Sequence, residues 1–406
     1  MNNYNMGEDR VEGRWGSSPS LVIVMTILID ITGYGIVIPL LPFYAESFQA
    51  GSLALGILVA SFAIMQFIFS PILGRISDNV GRKPVLLLSI LISMVSFVIF
   101  AVANSFRVLL LSRIIAGMAT ETAVVQAYTA DMTSEGDRTK GIGRLAAAHG
   151  MGFIIGPAIG GFLSVYGFSL PGFAAAALTF LNFLFVLIFL PESPMKTQAR
   201  AVKRPGAYLP NLTRIFSLEV VGAVFLVFFL VILAFSTIPV IVPLLGMFYF
   251  NLGTTEMAYL FVYIGLVQVV LQGFLMDRLD KKLGEERLMR FGPLLMATGI
   301  LIMPLVPNFW IFLITNAMMA SGVGIIRTVV PSFVSKRTEV GEQGGVLGMT
   351  QSVSSIARVP GPLLGGVVSD FAGLPAPFFL SSGLLTVAFF VSWKVCQICN
   401  PPDREL

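Results

Sequence analysis

Apolar runs of about 20 residues recur from residue 20 to residue 396, separated by short segments that collect most of the charge. A run of this length matches the roughly 30 Å hydrocarbon core of a bilayer as an α-helix, whereas a spanning strand needs only about ten alternating residues. No water is available inside a bilayer to satisfy the backbone, so these runs must be helices. Bounding them by charge, Pro and Gly gives twelve spans: 20–44, 53–74, 85–103, 108–130, 141–164, 171–190, 219–245, 256–276, 289–306, 309–332, 345–367 and 376–396. Hydrophobic residues make up 56% of the chain and charged residues 12%. A water-soluble globule is thereby excluded, since charged residues alone approach about a quarter there. The expected fold class is an all-α membrane protein with twelve transmembrane helices in two pseudo-symmetric six-helix bundles.

The distribution of cations orients the chain. Lys and Arg gather in the loops of one face; only Arg107 falls in a loop of the other face, while Arg113, Arg327 and Arg358 lie inside spans. The positive-inside rule places both termini in the cytoplasm of a cell (plasma) membrane protein. Residues 1–19 and 397–406 read as cytoplasmic tails, 20–190 and 219–396 as the two bundles, and 191–218, with five cations and several prolines, as the linker. The +4 charge does not point to nucleic acid, because the cations are topology determinants in short loops. Cys396 and Cys399, the only cysteines, cannot complete a four-ligand metal site, and no metal or cofactor is expected beyond a coupling proton. The bilayer and a small molecule are the expected partners, and a monomer the expected working form.

The two halves repeat. Gly117, Gly143 and Gly156-Pro157 recur at Gly322, Gly348 and Gly361-Pro362, displaced by 205 positions, and Pro39-Leu40-Leu41 recurs as Pro243-Leu244-Leu245. The charged loop Gly74–Pro84, carrying Asp78, Gly81, Arg82 and Lys83, has a worn copy at Gly273–Arg278 that lacks the G-R-K end. A parallel repeat of six-span halves suits a transporter that rocks about a midplane site.

Four motifs stand in order: G-x-x-x-D-x-x-G-R-K at 74–83, Asp30-Ile31-Thr32-Gly33 followed by Ile38-Pro39-Leu40-Leu41-Pro42, R-x-x-x-G at Arg113–Gly117, and G-x-x-x-G-P-x-x-G-G at 152–161. Together they resemble the major facilitator superfamily of transporters, specifically its twelve-helix drug:proton antiporter branch. The resemblance implies alternating access, with Gly74, Asp78, Gly81, Arg82, Lys83, Gly156, Pro157, Gly361 and Pro362 as gating elements. Asp78 is expected to cap a helix of the opposite half, so that the loop forms one side of a latch. The bland readings are surface solvation for Asp78 and helix packing for the glycines.

Five ionisable residues sit well inside spans: Asp30, Arg113, Glu121, Arg327 and Arg358. Each costs several kcal/mol there unless it faces a partner or a wet cavity, so function is the default reading. Arg113, Gly117 and Glu121 follow at i, i+4 and i+8, which on a continuous helix shares one face. Asp30 and Glu121 are the candidate proton carriers and Arg113 the partner of one of them; a permanent ion pair is the structural alternative. Three arginines against two acids leave the site net positive, which favours an anionic or zwitterionic substrate bound by Arg327 and Arg358, with Gln126, Asn316 and Gln351 adding neutral hydrogen bonds. Tyr128, Asn182 and Gln268 suit either such bonds or interhelical ones, and His149, the only histidine, either a proton relay or a packed neutral ring.

The resulting expectation is a secondary active transporter, a proton-coupled antiporter exporting amphipathic, drug-like molecules. Uptake or lipid-headgroup movement of an organic anion, and a membrane receptor or sensor, are the alternatives. An enzyme is not expected: there is no phosphate-cradling loop and no paired nucleophile and base.

Overall fold

The computed structural model describes residues 19–119, 121–132, 138–193, 219–305, 308–337 and 343–399. Residues 1–18 and 400–406 of the tails and most of the 191–218 linker lie outside them. The described elements are helical: α1 (Pro19–Val37), running through a 3₁₀ turn at Ile38–Leu40 into α2 (Leu41–Ser47), α3 (Ser52–Val80), α4 (Arg82–Ala101), α5 (Phe106–Met118), α6 (Glu121–Met132), α7 (Arg138–Ser164) and α8 (Ser169–Phe189) form the first half. The second half holds α9 (Glu219–Ser236), α10 (Ile238–Phe250), α11 (Thr254–Val270), a π-helical turn at Leu271–Leu275, α12 (Met276–Leu283), α13 (Glu285–Ile302), α14 (Phe309–Lys336), α15 (Gln343–Arg358), α16 (Pro360–Ala372) and α17 (Ala376–Cys399).

Ten helices among the described residues are long and apolar enough to cross a membrane. The two remaining expected spans correspond to α13 and to the pair α15 and α16. Helix α13 opens on Glu285, Glu286, Arg287 and Arg290, so its apolar part is short. The α15–α16 run is divided at Pro360, whose missing N–H leaves Val359 to donate to Ile356 instead.

The repeat is legible in the packing. Gly156 of α7 abuts the backbone of Thr32 and Gly35 in α1, and Gly361 of α16 abuts Leu233 and Ser236 in α9, so the fifth-to-first pairing recurs as eleventh-to-seventh. A side chain at either glycine would overlap backbone or core atoms. Pro157 lies within an unbroken α7, with its ring against Gly35. The halves meet through α3 against α16 and α7 against α11: Gly56 faces Pro362, Gly366 faces Ser52, Gly161 faces Ala258, and Gly265 faces Phe153.

Candidate functional site

The fourth expected span is not one helix. Helix α5 ends at Met118, Ala119 leaves the helical region at φ −84° and ψ 80°, and α6 begins at Glu121. Glu121 therefore stands in the first turn of a helix that starts inside the protein, where unpaired N–H groups and the positive end of the dipole suit a carboxylate. Because the helix is interrupted between them, the i, i+4, i+8 spacing no longer aligns Arg113 with Glu121. Among the described residues Arg113 makes no salt bridge with Asp30 or Glu121, in contrast to the expected pairing with one of the two.

The buried charges sort instead into two groups. Glu121 is 1% exposed; its Oε1 accepts from Ser93 Oγ on α4 at 2.9 Å, and its carboxyl is within hydrogen-bonding reach of the Asp30 carboxyl on α1. Arg113 is 2% exposed and stacks over Phe62 at 5.0 Å and Tyr34 at 6.0 Å, with Nε unpartnered. Arg327 lies over the Phe235 ring at 4.9 Å and within electrostatic reach of Arg358, and both act on His149. Tyr34 lies under Arg113 and within electrostatic reach of Arg358, a guanidinium of the other half. Its ring meets Phe62 at 5.1 Å and Phe153 at 5.9 Å, and His149 packs on Phe153 at 5.2 Å. Among the described residues, none of the three arginines makes a salt bridge.

Stacking on aromatic rings contributes about 0.5–2 kcal/mol. A guanidinium at the bilayer centre costs at least about 2.5 kcal/mol, so three of them with no salt bridge among the described residues remain short of negative charge.

The neutral candidates lie elsewhere. Asn316 is fully buried, donating to Phe312 O at 2.7 Å and packed on Met303 just past the end of α13, while Gln126 and Gln351 are exposed. The site residues that sequence reasoning missed are Tyr34 and Ser93. Tyr34 stands one helical turn after Asp30, the signal that could have found it.

Among the described residues, the Gly74–Pro84 loop bonds within its own half. Asp78 pairs with Arg82 at 2.8 Å, and Arg82 also meets Asp131 at 2.9 Å and Ser77 at 2.7 Å. Glu192 caps α4 through the N–H groups of Arg82 (2.7 Å) and Lys83 (3.2 Å), and Lys83 Nζ donates to Leu187 O. Among the described contacts Asp78 meets Arg82 and no group of the opposite half, and Gly74 has open space beside it. Gly81 takes φ 115° and ψ 154°, a region that essentially only glycine occupies, and a Cβ there would sit 3.0 Å from the Glu192 carboxylate. Gly81→Ala is expected to cost about 1–3 kcal/mol and lower the thermal unfolding midpoint in detergent; an unchanged midpoint would contradict this reading.

The second half carries the same turn with its charges exchanged. Gly284 repeats the conformation at φ 78° and ψ 155°, and Glu285 follows where Arg82 follows Gly81. Lys336 stands 205 positions after Asp131, so the Arg82–Asp131 bridge has a sign-reversed counterpart in Glu285–Lys336 at 2.8 Å. Glu286 pairs with Arg337 at 3.0 Å. The worn copy at Gly273–Arg278 is therefore not the whole counterpart of the loop; a letter-by-letter comparison passes over a pair whose signs are swapped.

The acid that does cap a helix of the opposite half lies at the other end of the molecule. Asp370, near the end of α16, accepts from the N–H groups of Ser52 (3.1 Å) and Leu53 (2.9 Å) at the start of α3. Ser164 Oγ to Thr254 Oγ1 at 2.7 Å adds a second tie between the halves. An acidic helix cap contributes about 0.5–2 kcal/mol, so Asp370→Ala is expected to raise the population opened at this end by roughly 2–30-fold. Spin labels at Ala50 and Phe371, read by pulsed dipolar spectroscopy, would report the widening, and an unchanged distance distribution would show that the cap does not hold this end.

This all-helical, internally repeated arrangement with charges buried between two halves is that of a membrane transporter. The family model of the Major Facilitator Superfamily matches residues 23–283 and 269–405, and the chain belongs to that superfamily. It is 29% identical over 383 residues to multidrug resistance protein 1 of Bacillus subtilis (strain 168), covering 92% of this chain and 96% of the relative. It is 31% identical over 360 residues to the class G tetracycline resistance protein of Vibrio anguillarum, covering 85% and 89%. Among solved structures, the human organic anion transporter MFSD10 (TETRAN) superposes with a TM-score of 0.70 at 24% identity, covering 92% of this chain and 98% of that one. The nucleoside transporter NupG superposes with a TM-score of 0.73 at 16% identity, covering 93% and 99%. The protein is a multi-pass membrane transporter and not an enzyme.

Proposed function

We propose that this transporter is a proton-coupled antiporter that exports amphipathic organic anions or zwitterions by alternating access, working with twelve spans in two six-helix halves. The observation that carries the substrate class is the set of three guanidinium groups inside the spans, Arg113 buried and Arg327 and Arg358 half-buried, which make no salt bridge among the described residues and are lined by Tyr34, Phe62 and Phe235. A planar anion would supply the absent charge and stack on the rings. Asp30 and Glu121 face each other beside that set, and a facing carboxyl pair can take up and release one proton as the helices around it move. Export is supported by the resistance functions named for the relatives. In the topology proposed here, the Gly81 end is cytoplasmic and the Asp370 end external, so the external end is closed in this conformation and Gly74 faces open space on the cytoplasmic side. The two spans beyond the ten long apolar helices are α13 and the kinked pair α15–α16, each flanked by helices that do cross.

The test is substrate-dependent proton flux in proteoliposomes under an imposed pH gradient, using matched acidic and neutral amphipathic compounds. Flux with the acidic member and little with its neutral analogue is the expected result. Specific binding without flux for any compound would favour a sensor.

A further inference from the structure

The third and sixth spans carry polar side chains where apolar packing would be simpler. Helices α4 and α8 run antiparallel, and Gly172 of α8 sits against Phe100 and Ala101 of α4. At 1.5 Å per residue, ten residues further along α8 brings Asn182 about 15 Å from that contact, level with the interval between Ser89 and Ser93 of α4. Thr179 and Asn182 share the buried stripe of α8 that begins at Gly172, and Ser89, Ser93 and Ser96 share the buried stripe of α4. Glu121 joins this seam through Ser93, and Gly33 of α1 closes it beside Phe97 and Thr179.

Ser89 Oγ and both Oδ1 and Nδ2 of Asn182 are buried in the seam with no protein partner, and the Glu121 carboxyl beside them meets Ser93 and Asp30. Ser89 is fully buried and Asn182 is 1% exposed. Each such group costs about 1–3 kcal/mol if left unsatisfied, and an interior that places three polar residues at one level is the kind that holds ordered water. Ser89 lies seven residues from Arg82, about 10 Å along α4, so the seam leads from Glu121 toward the Asp78, Arg82 and Asp131 cluster at the Gly81 end.

We propose that Glu121, Ser89 and Asn182 hold a short file of internal water, and that this file is the route by which Glu121 exchanges its proton with the Gly81 side. The proposal rests on Glu121 being the proton carrier. The proton moves by relay: water donates to the Glu121 carboxylate at one end and is reprotonated from solvent at the other, with no net bond change in Ser89 or Asn182. Asp30 on α1 and Ser93 on α4 are the other groups that face Glu121, and neither lies on the Gly81 side of the seam. Asn182 is a positioning residue in this scheme.

The experiment uses the full-length protein in proteoliposomes. Asn182→Leu and Ser89→Ala, singly and together, are expected to slow gradient-driven transport about tenfold or more while leaving proton-independent substrate exchange and substrate binding within twofold. Asn182→Ser, which restores a polar partner for water, is expected to recover most of the loss. Exchange of the Glu121 carboxyl proton in D2O, followed by its infrared C=O band, is expected to slow in parallel. Removing unpartnered polar groups from a dry interior would be neutral or stabilising instead. A higher unfolding midpoint with unchanged coupled transport therefore overturns the water file, as does an unchanged exchange rate. Glu121→Gln separates the two claims: if it retains uphill transport, the carrier assignment fails, and if it is inactive while Asn182→Leu and Ser89→Ala transport normally, only the water file fails. Should the double variant not fold, Ser89→Ala alone, which removes one hydroxyl, carries the same expectation for the exchange rate.

Discussion

Glu121→Gln is expected to abolish uphill, gradient-driven transport while sparing counterflow exchange of substrate across the membrane. The amide preserves the size of the side chain and can still hydrogen-bond to Ser93, but it cannot release a proton. Removing a proton-transfer group typically costs 10²–10⁴-fold, so residual coupled transport is expected at about 1% or below. Asp30→Asn tests the other member of the pair and is expected to act in the same direction. Proteoliposome uptake against a concentration gradient, measured beside exchange at equal pH, reads both quantities. Retained uphill transport in both variants would sink the carrier assignment.

Arg327→Gln is expected to weaken acidic substrates selectively. A hydrogen bond to a charged group is worth about 1.5–3 kcal/mol, which corresponds to a loss of roughly 10–100-fold in affinity for an anion. A neutral analogue of the same shape is expected to change by twofold or less. Arg327→Lys keeps the charge but loses the planar fork and its stacking on Phe235, so it should fall between the two. Isothermal titration with matched acidic and neutral compounds distinguishes the outcomes, and an equal loss for both would show Arg327 to be structural.

Read one after the other, these variants probe groups that the chain brings together in an order its letters do not reveal. Asp30, Arg113, Glu121, Arg327 and Arg358 are conspicuous in the sequence because a charge inside an apolar run is costly wherever it points. Their partners are not conspicuous. Arg113 and Glu121 share a helix face only if the helix is continuous, and the departure of Ala119 from helical dihedrals removes that condition. Glu121 consequently answers to Ser93 and Asp30, and Arg113 to Phe62 and Tyr34. The Gly74–Pro84 motif likewise identifies a tight charged turn, yet its described bonds run to Asp131 and Glu192 in its own half, while Asp370 and Ser164 make ties across the halves at the other end.

The sequence by itself determined that the chain is helical and membrane-spanning, where the helices run, and that the halves repeat, because run length, charge placement and the glycine positions act locally along the chain. Tertiary structure alone decided which buried charge meets which, because helix breaks, proline kinks and packing rotate side chains in ways that spacing does not record. The exchange of Arg82–Asp131 for Glu285–Lys336 shows the distinction clearly. Opposite letters make the same bridge, since an ion pair depends on the product of two charges and is indifferent to which helix carries which sign.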